Sequence, residues 1–361
     1  MDLQTCAAFS LLRGASLSRV AASLREVAAT PEAMPTDELT RRVLAAVGLD
    51  ALAFDVARRE ADEALARARH LGLEPIPLGD ARYPPLVAAI YDPPPVLWIR
   101  GHPAALLAPS VALVGARAAS APALAIAGDL AAALARAGLA VVSGLARGVD
   151  GAAHAAALEA RGVSVAVLGC GADRVYPSEH ADLARAIAET GALVSELPPG
   201  APPLREHFPQ RNRVISGLCL AIVVVEASER SGSLITARFA LEQGREVMAV
   251  PGLALSGRNR GAHRLLKDGA KLVETADDIL EELPGGRATQ PAEGSRRNSL
   301  DKDELIATLE SDGPCGLDEL RARTGLDAGS LLSRLLELEL RGLVVRVGGG
   351  RFLASSRGVV T

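Results

Sequence analysis

Aromatic residues are scarce in this sequence of 361 residues, which contains five phenylalanines, three tyrosines and one tryptophan. The hydrophobic core must therefore consist of alanine, leucine and valine, and an aromatic residue in a polar segment stands out. Lysine is also rare, so nearly all positive charge is arginine. The formal net charge of −4 excludes a global basic field that would attract nucleic acid, although a local basic groove is still compatible with it.

Paired cysteines and long apolar runs are absent as well. The four cysteines are far apart and form no CxxC pair, which argues against a metal site or a disulfide framework and favours a reducing compartment. No apolar run reaches the roughly 18 residues needed to cross a bilayer, and the N-terminus lacks the pattern of a signal peptide. We therefore expect a soluble cytoplasmic protein with no membrane segment. Its length is that of two or three domains.

Two common nucleotide-binding motifs are missing. No GxGxxG occurs, because Gly169-Cys170-Gly171 is followed by Ala-Asp-Arg, and no GxxxxGK[ST] occurs. Nicotinamide-dependent dehydrogenases and P-loop NTPases are thereby excluded. Asp150 and His154 have the i, i+4 spacing of a metal-binding pair, but no third ligand is near in sequence, and aspartate is a common helix cap. We expect no metal and no cofactor.

The sequence divides into four segments. Residues 1–78 show helical periodicity and predict a small helical domain. In residues 79–283, a proline-rich stretch precedes apolar strands that alternate with helices, which indicates an α/β domain with a parallel sheet covered on both faces. Residues 284–300 are rich in glycine, proline, serine and arginine and predict a flexible linker. Residues 301–361 predict three helices and a hairpin, which together indicate a winged helix.

The strand ends of the α/β domain are the expected ligand site, because ligands of such sheets bind beyond the carboxyl ends of the strands. These ends are rich in glycine, serine and arginine, and they contain no obvious nucleophile–base pair. The predicted strands are 111–115, 140–143, 164–168, 192–195, 220–225 and 246–250, and the predicted helices are 121–137, 150–161, 178–189, 211–218 and 233–243.

The stretch Val141–His154, VVSGLARGVDGAAH, predicts a strand, a tight turn and a helix start. Such a turn points amide N–H groups outward at a helix N-terminus and is a ready anion site. Arg147 would add a planar fork of donors suited to phosphate. The alternative is structural: the glycines satisfy only the backbone angles of a βα turn.

Residues 205–213, REHFPQRNR, predict a polar loop that leads into a helix and holds three arginines and a phenylalanine. Arginines beside an aromatic ring are typical of sites for single-stranded nucleic acid, where the cations follow the phosphates and the ring stacks on a base. The alternative is that Phe208 belongs to the core and that the arginines pair with Glu196, Glu206 or Glu226.

Seven motifs occur in order along the chain. They are 111–117 (VALVGAR), 141–154, 166–171 with Tyr176-Pro177, 195–198 (SELP), 208–218 (FPQRNRVISGL), 224–237 (VVEASERSGSLITA) and 246–252 (EVMAVPG). Together they resemble the DNA-processing protein A (DprA/Smf) family. The resemblance implies an extended Rossmann-like domain at 79–283, a helical domain similar to a sterile-alpha-motif (SAM) fold at 1–78, and a winged helix at 301–361.

The same resemblance implies a non-catalytic protein that binds single-stranded DNA, protects incoming strands during natural transformation and loads the RecA recombinase. It also implies a homodimer formed through the Rossmann-like domain. At Ser178, where some members have a basic residue, this chain departs from the family. The family motifs carry DNA contacts over to Arg117, Arg147, Arg205 and Phe208. The full set of expected DNA-binding residues adds Ser143, Gly144, Gly148, Arg211, Arg213, Arg230, Ser231 and Gly232.

Two other functions compete with this one. An enzyme of nucleotide metabolism on a related Rossmann-like fold would hold phosphates in the turn at 144–151, with Glu196 or Glu226 as its acid or base. A purely architectural protein would use the terminal domain, where residues 301–341 contain ten acidic and five basic side chains. Because a helix that contacts the DNA groove is basic or at least neutral, we expect this domain to contact protein and not duplex DNA.

Overall fold

The structure is a computed structural model. Residues 1–287 and 288–361 form two compact units, each of which is treated by itself. The predicted linker at 284–300 lies outside the described residues. These are 2–12, 17–28 and 35–283, followed by 309, 315–324, 331, 335, 338, 344–347 and 351–354.

The chain begins with four helices, α1 (Leu3–Ser10), α2 (Leu17–Ala28), α3 (Thr36–Val47) and α4 (Ala51–His70). Asp50 caps α4, since its carboxylate accepts a hydrogen bond from the amide of Ala53 at 2.9 Å. Phe9 and Phe54 meet between α1 and α4 with ring centroids 5.1 Å apart. Their cluster extends to Trp98 of the sheet, so the helices pack directly on the domain that follows.

Nine strands form one sheet in the first unit, in the order β1-β2-β6-β5-β4-β3-β7-β8-β9. The β1–β2 and β2–β6 pairs are antiparallel, and the other six are parallel. The strands are β1 (Glu74–Pro77), β2 (Val96–Gly101), β3 (Ser110–Val114), β4 (Ala140–Ser143), β5 (Ser164–Val167), β6 (Ala192–Ser195), β7 (Ala221–Val224), β8 (Glu246–Ala249) and β9 (Lys271–Leu272).

The predicted α/β class with a Rossmann-like sheet is confirmed. The six predicted strands are β3 to β8. They lie side by side as β6-β5-β4-β3-β7-β8, or 4-3-2-1-5-6 in chain order, so the sheet extends to both sides of β3 as in a doubly wound fold. The chain leaves β3 toward β4 and returns on the other side of β3 at β7. The topological switch point, where ligands of such sheets bind, therefore lies between β3 and β7.

One strand of the sheet lies before residue 79, where the sequence indicated the start of the α/β domain. Residues 74–77 read Glu-Pro-Ile-Pro, and two prolines in four residues gave no strand signal. They pair with β2 at the edge of the sheet, where proline is tolerated because a missing N–H faces no neighbouring strand.

Eight further helices cover the sheet, and alternate residues of β3 face the two layers. Val111 and Leu113 belong to the cluster that includes α6 and α7, whereas Ala112 and Val114 belong to the cluster that includes α9 and α10. The helices are α5 (Pro85–Ala88), α6 (Ala121–Arg136), α7 (Val149–Glu159), α8 (Ala181–Thr190), α9 (His207–Leu218), α10 (Ser233–Glu242), α11 (Arg260–Lys267) and α12 (Ala276–Glu282).

Helix α9 begins four residues before the predicted helix at 211–218, so the prediction of a loop there was wrong for residues 207–210. Pro209 is the third residue of α9. Proline is tolerated in the first turn of a helix, where its missing N–H has no intrahelical acceptor. Phe208 and Arg211 are therefore presented by a helix and not by a loop.

The second unit contains the predicted hairpin, in which β10 (Val344–Val347) pairs antiparallel with β11 (Arg351–Ala354). Helix α13 (Leu317–Thr324) contributes Leu320 to a core that also contains Leu331, Leu335 and Phe352. Most of the predicted third helix lies outside the described residues. Across the described ranges, no helix has the length and apolar character needed to traverse a bilayer.

Candidate nucleic-acid interface

A cavity of about 920 Å³ opens at the carboxyl ends of β3 and β7, which is the topological switch point of the sheet. Its walls are the loop after β3, the start of α9, the loop between β7 and α10, and one arginine from the loop after β8. Six of the expected DNA-binding residues line it, namely Arg117, Arg205, Phe208, Arg211, Ser231 and Gly232.

An aromatic ring with a cation above it forms part of the cavity wall. The guanidinium carbon of Arg117 lies 5.5 Å from the centroid of the Phe208 ring, within the range of a cation–π contact. Tyr176 lies against the same ring, with centroids 5.4 Å apart and planes inclined by 49°. A Cβ at Gly169 would lie 2.9 Å from the Phe208 ring, so this glycine makes room for it.

Two arginines on the cavity wall keep their donors available. Arg117 and Arg205 are both exposed, and with the residues that the structure describes neither forms an ion pair or a side-chain hydrogen bond. A guanidinium with free N–H groups binds phosphate oxygens in a planar, bidentate geometry. These two side chains can therefore hold the phosphates of a strand whose base contacts Phe208.

The turn at Val141–His154 is not an open anion site, contrary to the sequence prediction. The amides of Gly144 and Ala146 donate to Oδ2 of Asp150 at 3.1 and 3.3 Å. The anion that the turn binds is thus a carboxylate of the same chain. Sequence alone could not show this, because the glycine pattern of such a turn is the same whether its anion is internal or a ligand.

Arg211 neutralises this buried carboxylate. It is only 4% exposed, and its Nη1 donates to the carbonyls of Gly144, at 2.9 Å, and Val167. Burial raises the pKa of Asp150 and lowers the pKa of Arg211 to about 10, while the charge of each opposes the shift of the other. Arg211 therefore has a structural role in the cavity wall. The prediction that it serves as a free phosphate ligand does not fit the structure.

The remaining predicted residues of the turn hold the backbone. The wholly buried hydroxyl of Ser143 donates to the carbonyl of Leu113 at 2.6 Å. Gly148 has φ of +75°, and a Cβ there would lie 2.2 Å from the carbonyl oxygen of Ala116, so only glycine fits. These two residues stabilise the turn and do not line the cavity.

Arg147 points away from the cavity lining toward Glu179. Its Nε and Nη2 donate to the two carboxylate oxygens at 2.7 and 2.6 Å. Both side chains are more than half exposed. The pairing holds the pKa of Glu179 below its usual value, chiefly through the hydrogen bond from Arg147. The predicted phosphate ligand is therefore bound to an internal carboxylate.

Arg213 is a second correction within α9. It is 5% exposed, with Nε 3.2 Å from Oδ2 of Asp92 and Nη2 paired with Glu196. Phe208, Arg211, Asn212 and Ile215 line the cavity because the spacing i, i+3, i+4, i+7 places them on one helical face. Arg213 lies off that face and belongs to the interior, as the structural alternative for this segment predicted.

The predicted set lacked further cavity residues, among them Tyr176, Asn212 and Arg258. Tyr176 lies in the Tyr-Pro motif, where an aromatic in a polar loop was the available signal. Arg258 lies after β8, at a strand end whose following loop carries an arginine. Asn212 donates to the carbonyl of Gly232 at 3.3 Å, which joins α9 to the loop between β7 and α10. Arg230 is exposed in that loop but does not line the cavity.

The candidate catalytic groups have structural partners. Glu226 is 3% exposed and accepts hydrogen bonds from the amide and hydroxyl of Ser120 at 3.2 and 2.6 Å. His154 is buried with Nδ1 2.7 Å from Oγ of Ser164, and burial lowers its pKa to about 3. Within the described ranges, no three His, Cys, Asp or Glu side chains come together in a group that could hold a metal ion.

Comparisons with known proteins agree with the resemblance seen in the sequence. Residues 74–284 match the model of the family described as DNA recombination-mediator protein A, and residues 287–350 match that of the DprA winged helix domain. The chain is 44% identical over 284 residues to Protein Smf from Escherichia coli, which covers 76% of both chains. It is 40% identical over 261 residues to the DNA processing protein DprA from Bacillus subtilis, which covers 70% of this chain and 88% of the relative.

Solved structures give the same result. The X-ray structure of DNA processing protein A from Streptococcus pneumoniae matches with a TM-score of 0.70 and 34% identity, over 79% of this chain and 99% of the other. A structure that concerns the single-stranded DNA binding mode of DNA processing protein A from Helicobacter pylori matches with a TM-score of 0.54 and 26% identity, over 60% of this chain and 99% of the other. With the larger family model matching more than half of its length, the chain belongs to the DNA recombination-mediator protein A family, the DprA/Smf family of DNA processing proteins.

Proposed function

We propose that this chain binds single-stranded DNA in the cavity at the switch point and acts in recombination without catalysing a reaction. The observation that carries the proposal is the Phe208 ring on the cavity wall, with Arg117 5.5 Å from its centroid and Arg205 exposed nearby on the same wall. The Helicobacter pylori relative, whose structure concerns single-stranded DNA binding, supports it.

The chemistry favours single strands over duplex. A base that stacks on an aromatic side chain contributes about 1–3 kcal/mol, and every base has a face that can stack. In a duplex the faces of the bases are covered by their neighbours, so Phe208 could not reach them without unstacking. The phosphates of a single strand can meanwhile follow Arg117 and Arg205, which makes binding dependent on salt.

The two strand-end carboxylates argue for a role without catalysis. A general acid or base must lie within hydrogen-bonding reach of the reacting group. Glu196 is buried and paired with Arg213, and both oxygens of Glu226 hold Ser120. An enzyme of nucleotide metabolism would need one of them to be available, so the contacts weigh against that competing function.

The test compares a labelled oligo-dT with a matched duplex by fluorescence anisotropy. We expect at least about tenfold tighter binding of oligo-dT, and Phe208→Ala should weaken it by about fivefold or more, the equivalent of about 1 kcal/mol of lost stacking. Phe239→Ala is the matched control, because Arg238 lies 5.8 Å from the Phe239 ring outside the cavity lining. Equal binding of both nucleic acids, or equal losses in both variants, would refute the proposal.

We also propose the finer functions that the family resemblance implies. The RecA recombinase would be a partner, loaded onto the bound strand, and incoming DNA would be protected during natural transformation. The chain would act as a cytoplasmic homodimer formed through the Rossmann-like domain, with an N-terminal helical domain that ends before β1 (Glu74–Pro77) and a linker at 284–300. Sedimentation equilibrium tests the dimer, and RecA-dependent strand exchange with and without the chain tests the partner.

A further inference from the structure

The loop that follows β8 brings a further arginine to the cavity. Arg258 is part of the cavity lining although its loop starts one strand beyond β7. Two contacts hold the loop. Asn259 is buried so close to Gly252 that a Cβ there would lie 1.5 Å from its amide nitrogen, and the amide of Arg258 donates to Oγ of Ser256 at 3.3 Å. Both contacts join residues within this loop and restrain its conformation at Arg258.

The head group of Arg258 is anchored at one end only. Nη1 donates to the carbonyl of Ala118 at 3.0 Å and lies 3.9 Å from Oε1 of Glu226. Among the residues that the structure describes, Nε and Nη2 have no hydrogen-bond partner, and the side chain is 56% exposed. Because a guanidinium is a rigid planar fork, the anchored nitrogen orients the free Nε–Nη2 edge.

The hydrogen bond to Ala118 also places this edge next to Arg117. Ala118 follows Arg117 in the loop after β3, so the bond from Arg258 brings the two arginines to the same loop. The buried carboxylate of Glu226 lies between the strands that carry them and reduces their mutual repulsion. The guanidinium of Arg258 can therefore lie beside the cavity as a third cation, because the carboxylate that compensates its charge is buried and does not block its free edge.

We propose that Arg258 binds a backbone phosphate of single-stranded DNA through Nε and Nη2, on the β8 side of the cavity. The inference rests on the proposed function and extends it by one residue. Together with Arg117 and Arg205, it gives the bound DNA strand three cationic contacts at the carboxyl ends of the β-strands. If Arg258 served only to tie two loops together, its replacement would change stability but not the salt dependence of DNA binding.

The experiment measures the affinity for oligo-dT over a series of salt concentrations. Arg258→Ala should weaken binding by about three- to tenfold and reduce the slope of log K against log salt by about 0.7, the value of one phosphate contact to a single strand. Arg258→Lys should keep the slope, because the charge remains, but lose part of the affinity, because an ammonium has no fork.

Arg260→Ala is the matched control. Arg260 is two residues away at the start of α11 and similarly exposed, at 66%, with Nη1 4.0 Å from Oε1 of Glu229; it does not line the cavity. Its replacement should change neither affinity nor slope beyond the effect of one distant charge. If Arg258→Ala proves unstable on heating, Arg258→Gln, which retains a donor for Ala118, replaces it in the same comparison.

The outcomes separate this inference from the function on which it rests. Unchanged affinity and slope in Arg258→Ala, with Arg117→Ala weakened, would overturn the role of Arg258 alone. Equal losses in Arg258→Ala and Arg260→Ala would overturn it too, because they would reflect net charge. If the unmodified chain fails to bind oligo-dT, the proposed function is wrong and the inference falls with it.

Discussion

Arginines of this site differ in role because they differ in what surrounds them. Arg117 and Arg205 are exposed, so they can exchange water for phosphate at little cost. Arg213 is buried beside Asp92 and Glu196, and removing it would leave the buried carboxylate of Glu196 without its cation, which is strongly destabilising. Burial and partners, not residue type, therefore separate the binding arginines from the structural ones.

Buried His154 should make stability dependent on pH. Its pKa is lowered by burial to about 3 in the folded chain, against about 6.5 when unfolded. Below pH 6.5 the unfolded chain binds a proton that the folded chain does not, so stability falls as the pH is lowered through this range. Between pH 7 and pH 5 the loss from this group is about 2 kcal/mol.

Urea unfolding of the unmodified chain and of His154→Gln at both pH values measures this effect. The free energy of unfolding should fall less in the variant, by about the 2 kcal/mol that the histidine contributes. The carboxylates titrate equally in both proteins, so their contribution cancels when the two pH dependences are compared. Parallel pH profiles would show that His154 is protonated in the folded state.

At the scale of elements, the turn between β4 and α7 is stabilised by charges from other parts of the chain. Two amides of the turn donate to Asp150 of α7, the charge of Arg211 from α9 compensates that buried carboxylate, and Glu179, from the short segment before α8, binds Arg147. Only the last of these pairs is exposed. Exposed ion pairs contribute little to stability, so Arg147 can be freed without unfolding the turn.

Glu179→Gln should therefore increase the affinity for oligo-dT. Arg147 follows Ala146, which lines the cavity, and without its carboxylate partner it becomes available to a phosphate. The slope of log K against log salt should become steeper by about 0.7. Anisotropy titrations at several salt concentrations measure both quantities.

The control for this prediction is Asp182→Asn. Asp182 forms a similarly exposed pair with Arg185, at 2.6 Å, and its replacement changes the net charge by the same amount. Neither residue lines the cavity. If the two variants bind oligo-dT alike, Arg147 does not contact DNA and its pairing with Glu179 is only structural.

At the scale of the whole molecule, every residue of the cavity belongs to the unit of residues 1–287. The winged-helix unit should not contribute to single-strand binding through this site. A chain that ends at residue 287 should bind oligo-dT within about twofold of the full chain, or about 0.4 kcal/mol. Neither chain should bind duplex tightly, because residues 301–341 carry twice as many acidic as basic side chains.

Anisotropy with oligo-dT and duplex, measured for both chains at the same salt concentration, tests this division. Tight duplex binding by the full chain alone would show that the winged helix contacts DNA. A large loss of oligo-dT binding on truncation would show that the second unit is needed at the cavity. Either result would contradict the prediction.

Local sequence determined much of the architecture. Apolar runs of four to six residues alternating with helices predicted β3 to β8 to within one residue at each end, because a buried parallel strand must be apolar on both faces. Exceptions arose at prolines. Pro209 was interpreted as a loop residue although it occupies a first helical turn, and the prolines at 75 and 77 concealed an edge strand. In both places the missing N–H had no partner to lose.

The sequence by itself determined the family, the sheet and the end of the sheet at which a ligand would bind, since those follow from the order and spacing of local patterns. Only the tertiary structure decided which donors are free. Arg213 pairs with Asp92, 121 residues earlier in the chain, and Arg211 donates a hydrogen bond to a carbonyl 67 residues away. Local pattern sets the backbone, whereas the partner that satisfies a charge comes from elsewhere in the fold.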